Sequence, residues 1–389
     1  MRRVDAEERR ARLARRHRLT SAVRAQDVGD AVRSVVAFHS SDPATVFLSA
    51  WARTRALEAR RLESALYDER TLVRMLAMRR TLFVVPRELV PVVDAAASQA
   101  VAANERRKLE KLVGESRLSD DPAAWLDAAG AAALEAVEAR GDASTSELTG
   151  DHPLLGERLR LGIGTRWEAE VRAASRVLLL LAAEGKIVRD RPRGGWTASQ
   201  YRWVPIERLG VLEPLDPAEA RAQLVGLWLA AFGPATEADI RWWTGWTARD
   251  ARTALASVPH AEVDLDGAVG YLLRDDVEPE PREEPAAALL PALDPTTMGW
   301  KERAWYLGPH ASSLFDRNGN AGPTVWWEGR VVGGWAQRPD GEIAYRLLED
   351  FGEDAERAVA SEAERLAAWL GDVRVTPRFR TPLERELAT

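Results

Sequence analysis

The feature that most constrains the fold of this 389-residue chain is a repeated order of helix, short helix, helix and β-hairpin. The order is clearest in the middle of the chain, where the helical stretch 122–140 precedes Ser144 and Glu147, a capping box that opens a short helix. Apolar residues three and four positions apart predict the next helix: Trp167, Val171, Ala174, Leu178 and Leu181. Two strands around Gly194-Gly195 complete the pattern. This order is typical of a winged helix.

The pattern recurs in the following segment. Thr236 and Thr247 are placed as N-caps of two short helices, each with Asp three residues later. Asp266-Gly267 lies between two short strands and predicts a type I′ hairpin turn, because that turn requires a positive φ at both central positions. The segment is therefore predicted to be a second copy of the same unit.

A looser version lies near the N-terminus. Pro43–Arg53 reads as one helix, and Arg80–Pro86 would be a strand of the wing. An earlier helix is indicated by four valines: Val28, Val32, Val35 and Val36. We therefore expect three winged helices in tandem.

The sequence pattern changes from helices to short strands after Asp275–Glu284. This segment carries six acids and is predicted to be an extended acidic linker. Short strands are predicted at 288–293, 324–327, 331–337 and 342–348. They indicate an antiparallel meander forming a small β-barrel, followed by a helix over 353–370. The predicted fold is α+β, with a first winged helix and basic N-terminal arm (1–118), two more winged helices (119–212 and 213–277) and the barrel with its C-terminal helix (286–389).

Composition excludes several classes of function. The chain has no cysteine, which excludes disulfides, thiolate zinc sites, iron–sulfur clusters and cysteine nucleophiles. None of its five histidines is spaced as a metal-binding pair, so we expect no metal or cofactor. No apolar run is long enough to span a membrane, and the Arg-rich start has no apolar signal region. We expect a cytoplasmic, nucleoid-associated monomer without membrane partners.

The net charge is −6, so nucleic-acid binding must depend on local basic clusters. Three occur: nine arginines against three acids in residues 1–24, five arginines and no acid in 70–87, and five basic residues against one acid in 186–202. Winged helices bind duplex DNA through a helix or a wing, which predicts phosphate or groove contacts by Arg79, Arg80, Arg191 and Arg193. The same fold also serves as a scaffold for protein contacts, and spacing and charge leave both interpretations open.

The only compact set of reactive side chains is His39-Ser40-Ser41-Asp42-Pro43, where an imidazole, two hydroxyls and a carboxylate are consecutive. Ser41 or Asp42 followed by Pro43 is also an ordinary start of a helix, with an N-cap and Pro at the first helical position. We therefore assign Asp42 as the N-cap, whatever its other role. His39 is the candidate catalytic group of this turn.

Six segments in order resemble the AlkZ/YcaQ group of winged-helix DNA glycosylases. The segments are HSSDPATVFLSAWAR (39–53), ERTLVRMLAMRRTLFVVP (69–86), FGPATEADIRWWTG (232–245), LLPALDPTTMGWKER (289–303), GPTVWWEGRVVGGW (322–335) and RFRTPLEREL (378–387). The resemblance implies three winged helices and a β-barrel forming a basic channel, with Arg53 and Phe83 among the DNA contacts. It also implies excision of bulky N7-alkylated purines, including interstrand crosslinks, and self-resistance to a genotoxic natural product.

The chain departs from this group at the catalytic motif. The motif is Gln–apolar–Gln or Gln–apolar–Asp directly before Asp-Pro, and here those positions are His39, Ser40 and Ser41. A neutral His39 could take a proton from the attacking water or orient it, with Ser41 supplying a second hydrogen bond. Asp42 completes the predicted catalytic set, and the absence of a nearby lysine predicts a monofunctional enzyme. The alternative is a winged-helix protein that binds or regulates DNA without cutting it.

Overall fold

The structure is a computed structural model that describes residues 1–210 and 212–389. Over these residues no helix has both the length and the apolar character needed to cross a membrane. The chain divides into two compact units. Unit 1 comprises 1–62, 84–86 and 221–389, and unit 2 comprises 63–83 and 87–220. The division into four domains stays a prediction.

Unit 1 combines helices with a four-stranded antiparallel sheet and a three-stranded mixed sheet. Its helices, two of which cross a boundary of the unit, are Ala6–Arg16, Val28–Arg33, Pro43–Arg53, Ala59–Glu63, Pro217–Phe232, Glu237–Thr244, Ala248–Ala256, Ala304–Leu307, Ala311–Leu314, Glu353–Leu370 and Pro382–Leu387. Its strands are Arg2–Arg3, Phe38–His39, His260–Leu265, Ala268–Leu273, Ala287–Leu290, Thr324–Trp327, Arg330–Gln337 and Ile343–Leu347, and Thr81–Pro86 crosses the boundary. The core contains large aromatic side chains, among them Trp51, Trp228, Trp300 and Trp326.

Local signals read from the sequence are confirmed in this unit. Thr236 and Asp239 form the reciprocal capping box of the helix Glu237–Thr244. Asp266 and Gly267 have φ angles of 53° and 93°, as a type I′ turn requires. The hairpin that this turn closes gains a third strand that the sequence did not predict, because Arg2–Arg3 pairs in parallel with His260–Leu265. The early helix is shorter than predicted, at Val28–Arg33, so that two of the four valines lie beyond it.

The predicted β-barrel is wrong. The strands Ala287–Leu290, Thr324–Trp327, Arg330–Gln337 and Ile343–Leu347 pair antiparallel in chain order. Within the described residues the first and last of them do not pair with each other, so the sheet stays open. Instead of closing on itself, the sheet packs against the helices Glu353–Leu370 and Pro382–Leu387, whose apolar side chains cover it.

The basic N-terminal arm and the acidic linker pair with each other. The arm is the helix Ala6–Arg16, and the acidic segment has no regular secondary structure. Arg16 pairs with Asp276 at 2.5 Å and with Glu280 at 2.9 Å. Arg12 is buried and pairs with Asp276 at 3.2 Å. This arginine cluster is therefore largely neutralised inside unit 1, which its charge in the sequence does not reveal.

Unit 2 is built on two packed helices, Pro122–Arg140 and Ala173–Ala183. Its other helices are Val90–Val93, Gln99–Glu115, Thr145–Asp151 and Pro153–Gly156, and its strands are Leu72–Ala77, Ala143–Ser144, Arg158–Leu161, Ala169–Arg172, Ile187–Arg189 and Arg202–Pro205. The predicted capping box at Ser144 is present. The three-stranded sheet of unit 2 has the strand order Ala143–Ser144, Arg202–Pro205, Ile187–Arg189. Assignment of this or any other segment as a winged helix stays an interpretation.

The helix that the sequence predicts from Trp167 onward begins only at Ala173 in the structure. Ala173–Ala183 contains Ala174, Leu178 and Leu181, whereas Trp167 and Val171 belong to a preceding β-hairpin, Arg158–Leu161 with Ala169–Arg172. The hairpin alternates exposed arginines with the buried Leu159, a period of two that competes with the helical spacing. The three-and-four spacing of Trp167 and Val171 was therefore accidental.

Candidate active site

The predicted catalytic residues lie where a two-residue strand, Phe38–His39, runs into the helix Pro43–Arg53 in unit 1. Asp42 has an extended conformation, and its side chain accepts from the backbone N–H of Ala44 at 3.1 Å. Pro43 occupies the first turn, where its missing N–H is not needed. The predicted N-cap at Asp42 is confirmed, and it fixes the position at which the chain turns from strand to helix.

His39 and Ser41 face each other across this turn. The backbone N–H of Ser41 donates to Nδ1 of His39 at 3.4 Å, and a ring nitrogen that accepts carries no proton. In the neutral imidazole the proton then lies on Nε2, which acts as a donor. The hydroxyl of Ser41 is half-buried and makes no hydrogen bond to any described protein group. His39 is itself buried, with 7% of its surface exposed, so the hydroxyl of Ser41 is the unengaged polar group of this turn among the described residues.

Asp42 supplies the negative charge of the turn. Its second carboxylate oxygen accepts from the backbone N–H of Arg378 at 2.8 Å, which ties the C-terminal segment to the turn. Burial raises the pKa of Asp42, although the backbone N–H groups of Arg378 and Ala44 lower it in part. Each oxygen accepts a single backbone hydrogen bond and keeps further acceptor capacity.

The far end of the same helix is held by a buried ion pair. Arg53 donates to the two carboxylate oxygens of Asp294 at 2.6 and 2.8 Å, and both side chains are completely buried. Asp294 also accepts from the hydroxyl of Ser49 at 2.6 Å, and Arg53 donates to the hydroxyl of Thr296 at 2.7 Å. Neither side chain has exposed surface, so the guanidinium of Arg53 has no access to DNA in this structure, and the predicted contact is not supported.

His17 extends this buried network. Because the carbonyl oxygen of Ala231 beside Nε2 can only accept, the proton of the neutral ring lies on Nε2, and the hydroxyl of Thr296 donates to Nδ1 of His17 at 2.8 Å. Nε2 of His17 then donates to the carbonyl oxygen of Ala231 at 3.1 Å. Burial, reinforced by the nearby charge of Arg53, lowers the pKa of His17 to about 3, so the ring is neutral. Every polar atom that His17 presents is thereby satisfied without a charge.

Three of the predicted DNA-contacting residues follow one another in unit 2. Arg79 and Arg80 form a tight turn with φ angles of 53° and 59°, before the strand Thr81–Pro86. Arg80 is exposed and pairs with Glu105 at 2.6 Å. Phe83 is buried, with 3% of its surface exposed, so its ring offers no face to DNA, and that predicted contact is not supported.

Arg191 and Arg193 share the loop between the strands Ile187–Arg189 and Arg202–Pro205. Arg191 is 43% exposed and pairs with Asp68 at 3.0 Å. Arg193 is 62% exposed and pairs with Glu147 at 3.0 Å. Exposed pairs of this kind are weak, so a phosphate can compete for both guanidinium groups.

Sequence reasoning missed three features. Asp294 lies within LLPALDPTTMGWKER and Arg378 opens RFRTPLEREL, so the family-like segments marked both without indicating their contacts. Trp167 was taken for a core residue of a helix but lies 64% exposed on a hairpin. Among the described residues no group of three His, Asp or Glu side chains is arranged to hold a metal ion.

Comparison with known proteins gives three findings. A family model described as DNA glycosylase AlkZ-like matches residues 32–369. The chain has no significant match among curated protein sequences. Its fold is similar to that of the DNA glycosylase AlkZ of Streptomyces sahachiroi, with a TM-score of 0.74 and 20% identity over 97% of this chain and 99% of that one.

Proposed function

Because the chain belongs to the AlkZ-like family of DNA glycosylases, which are hydrolases of N-glycosyl bonds, we propose that it excises bulky N7-alkylated purines from duplex DNA. Its role is DNA repair, including resistance of a cell to a genotoxic natural product that makes such adducts. Three tandem winged helices carry the DNA. The observation that supports catalysis best is the turn His39–Asp42 at the start of a helix whose other end is fixed by the buried pair of Arg53 and Asp294.

The substrate makes modest demands on the enzyme. An N7-alkylpurine is cationic, so the electron pair of the breaking C1′–N9 bond neutralises the departing base, which needs no protonation. The enzyme must hold a water near C1′, accept one of its protons and stabilise the positive charge that develops on the sugar. The turn contains groups for each of these tasks.

His39 and Ser41 position the water in this proposal. The N–H of Ser41 holds Nδ1 of His39, and the neutral imidazole orients the water so that a lone pair of its oxygen points at C1′. The hydroxyl of Ser41 supplies a further hydrogen bond. A protonated His39 would repel the developing positive charge, so the neutral form is the active one.

Asp42 is the proton acceptor. The oxygen of the water bonds to C1′, the C1′–N9 bond breaks, and one water proton passes to the Asp42 carboxylate. Burial raises the pKa of Asp42 and so makes its carboxylate a better base, while its negative charge stabilises the sugar cation. The first 107 residues contain no lysine, so no lysine of this segment can form a Schiff base, which supports a monofunctional enzyme.

The second candidate function is DNA binding without excision. It is favoured by a single observation, the absence of both glutamines of the family's motif at His39 and Ser41. The two functions differ in whether free alkylated base appears when the protein is incubated with adducted DNA.

The test uses duplex DNA containing N7-methylguanine, with spontaneous base loss subtracted. We expect His39→Ala to abolish release of free base while DNA affinity stays near wild type, with Tm lowered because the truncated imidazole is buried. Asp42→Asn removes the proton acceptor and should also be inactive, with a lowered Tm because its single amide oxygen can accept from Ala44 or from Arg378 but not from both. Full activity of both variants would exclude the proposed site. If the wild-type protein binds the duplex but releases no base, the non-catalytic alternative is favoured.

The pH profile separates the roles of the two titrating groups. Excision should rise with pH as the Asp42 carboxyl ionises and again where His39 loses its proton. His39→Gln replaces the imidazole with a group that can hold water but does not titrate. This variant should keep measurable activity and lose only the upper step. An active His39→Gln enzyme with both steps intact would show that the upper titrating group lies elsewhere.

A further inference from the structure

The hairpin Arg158–Leu161 with Ala169–Arg172 projects an aromatic side chain from unit 2. Trp167, in the loop that joins the strands, is 64% exposed, and Ile163 in the same loop is 42% exposed. Scattered exposed apolar residues are ordinary, but a large indole held open to solvent beside a second apolar side chain marks a contact surface. We call residues 162–168 the hairpin tip.

The hairpin is anchored at its base. Leu159 is completely buried in the core of unit 2, and the backbone N–H of Arg160 donates to the hydroxyl of Ser116 at 2.9 Å. Arg158 pairs with Glu170 at 2.9 Å and Arg160 with Glu168 at 2.7 Å across the two strands. These contacts fix the direction in which the hairpin tip projects from the unit.

The hairpin tip is preorganised. Gly162 and Gly164 have φ angles of 61° and 76°, which glycine adopts without strain. A Cβ added to Gly162 would lie 2.2 Å from the ring of Trp167, so the indole rests directly on the glycine backbone. The hydroxyl of Thr165 donates to the carbonyl of Gly162 at 2.7 Å, and the N–H of Gly164 donates to Glu168 at 2.9 Å. The indole is thereby held against the loop while 64% of the residue stays exposed.

The charge of the hairpin selects the partner. The cross-strand pairs neutralise Arg158 and Arg160, whereas Arg166, directly beside Trp167, is exposed and has no ion-pair partner in the described part of the chain. A cation next to an open aromatic face fits a nucleic acid, because a base stacks on the ring while the guanidinium contacts its phosphate.

We propose that the hairpin tip is a DNA-contacting element, in which Trp167 stacks on a nucleobase exposed at the damaged site and Arg166 contacts the backbone. The inference rests on the proposed function, since the partner is the DNA that the enzyme repairs. The rigid loop matters because a preformed aromatic surface loses little conformational entropy on binding. Ile163, exposed in the same loop, offers a second apolar contact.

The test uses a short duplex that contains a tetrahydrofuran abasic analogue with 2-aminopurine beside it. Wild-type protein should quench the 2-aminopurine fluorescence by stacking. Trp167→Ala should lose the quenching and bind roughly tenfold more weakly, within the span of base–aromatic stacking. Trp167→Phe should retain most of both signals, because it keeps an aromatic face. Leu227→Ala, which truncates a side chain 37% exposed on a helix of unit 1, is the matched control and should behave as wild type.

The outcomes are distinct. If wild-type protein releases alkylated base and binds the duplex, but Trp167→Ala matches it in affinity and quenching, the hairpin tip is not a DNA contact and only this inference fails. If Trp167→Ala instead abolishes self-association of the protein with DNA affinity unchanged, the tip is a protein contact and the inference is equally overturned. If wild-type protein neither binds DNA nor releases base, both the proposed function and this inference are wrong.

Discussion

Arginines of the two units carry the same charge in opposite environments. Arg53 and Arg12 in unit 1 are buried, and each is bound to a carboxylate of its own unit. Arg191 and Arg193 in unit 2 are about half exposed and paired with exposed or partly exposed carboxylates. The first kind holds the fold together, because a buried charge cannot be left unpaired. The ion pairs of the second kind cost little free energy to separate, so these arginines can exchange their carboxylate partners for phosphate.

The largest expected effect comes from breaking the buried pair. Arg53→Met leaves Asp294 charged and buried without a partner, which should lower the free energy of unfolding by about 3–5 kcal/mol. Arg191→Met removes an exposed pair and should cost less than about 1 kcal/mol. Urea denaturation of both variants measures the difference.

The double variant Arg53→Met/Asp294→Leu sharpens this test. It removes both charges together and should recover a large part of the lost stability. Equal losses in Arg53→Met and Arg191→Met would show that burial does not separate the two kinds of arginine.

The second effect is a pH dependence of stability that arises beside Arg53. The pKa of His17 is about 3 in the folded protein and about 6.5 in an unfolded chain. Between these values the unfolded chain binds more protons, so stability falls as pH falls through this window. The contribution of His17 should reach about 3 kcal/mol of lost stability by pH 4.

His17→Gln isolates this contribution. Glutamine can accept from Thr296 and donate to Ala231 without titrating, so the variant should lose less stability than wild type on acidification. Urea denaturation at pH 7, 5.5 and 4 measures the difference between the two proteins. Parallel stability curves would mean that the buried ring is not held neutral.

We expect the smallest effect on stability from the loop arginines Arg191 and Arg193. Their variants test directly whether exposed arginines bind DNA. Arg191→Ala/Arg193→Ala should leave Tm nearly unchanged and weaken binding to all duplex sequences. The slope of log affinity against log salt should fall by about 0.9 for each phosphate that the variant no longer binds. Arg79→Ala/Arg80→Ala should act in the same direction. Wild-type affinity and slope in both double variants would remove these loops from the DNA interface.

Local features were predictable because their physical causes lie within a few residues. The N-cap at Asp42 and the capping boxes at Ser144 and Thr236 need only a side chain and a backbone N–H two or three positions apart. The turn at Asp266-Gly267 requires two residues that tolerate positive φ. The candidate site His39–Asp42 was predictable for the same reason, since its groups are consecutive in the chain.

The sequence by itself thus determined the N-caps at Asp42, Ser144 and Thr236, the hairpin turn at Asp266-Gly267, the family and the turn that carries the candidate chemistry. Only the tertiary structure decided that the C-terminal sheet stays open, that Arg53 and Phe83 are buried, and that Trp167 is exposed. It also decided that the acidic segment neutralises the N-terminal arginines, whose partners lie more than 250 residues away. The physical reason is that burial and ion pairing depend on which distant segments meet, and neither residue spacing nor net charge contains that information.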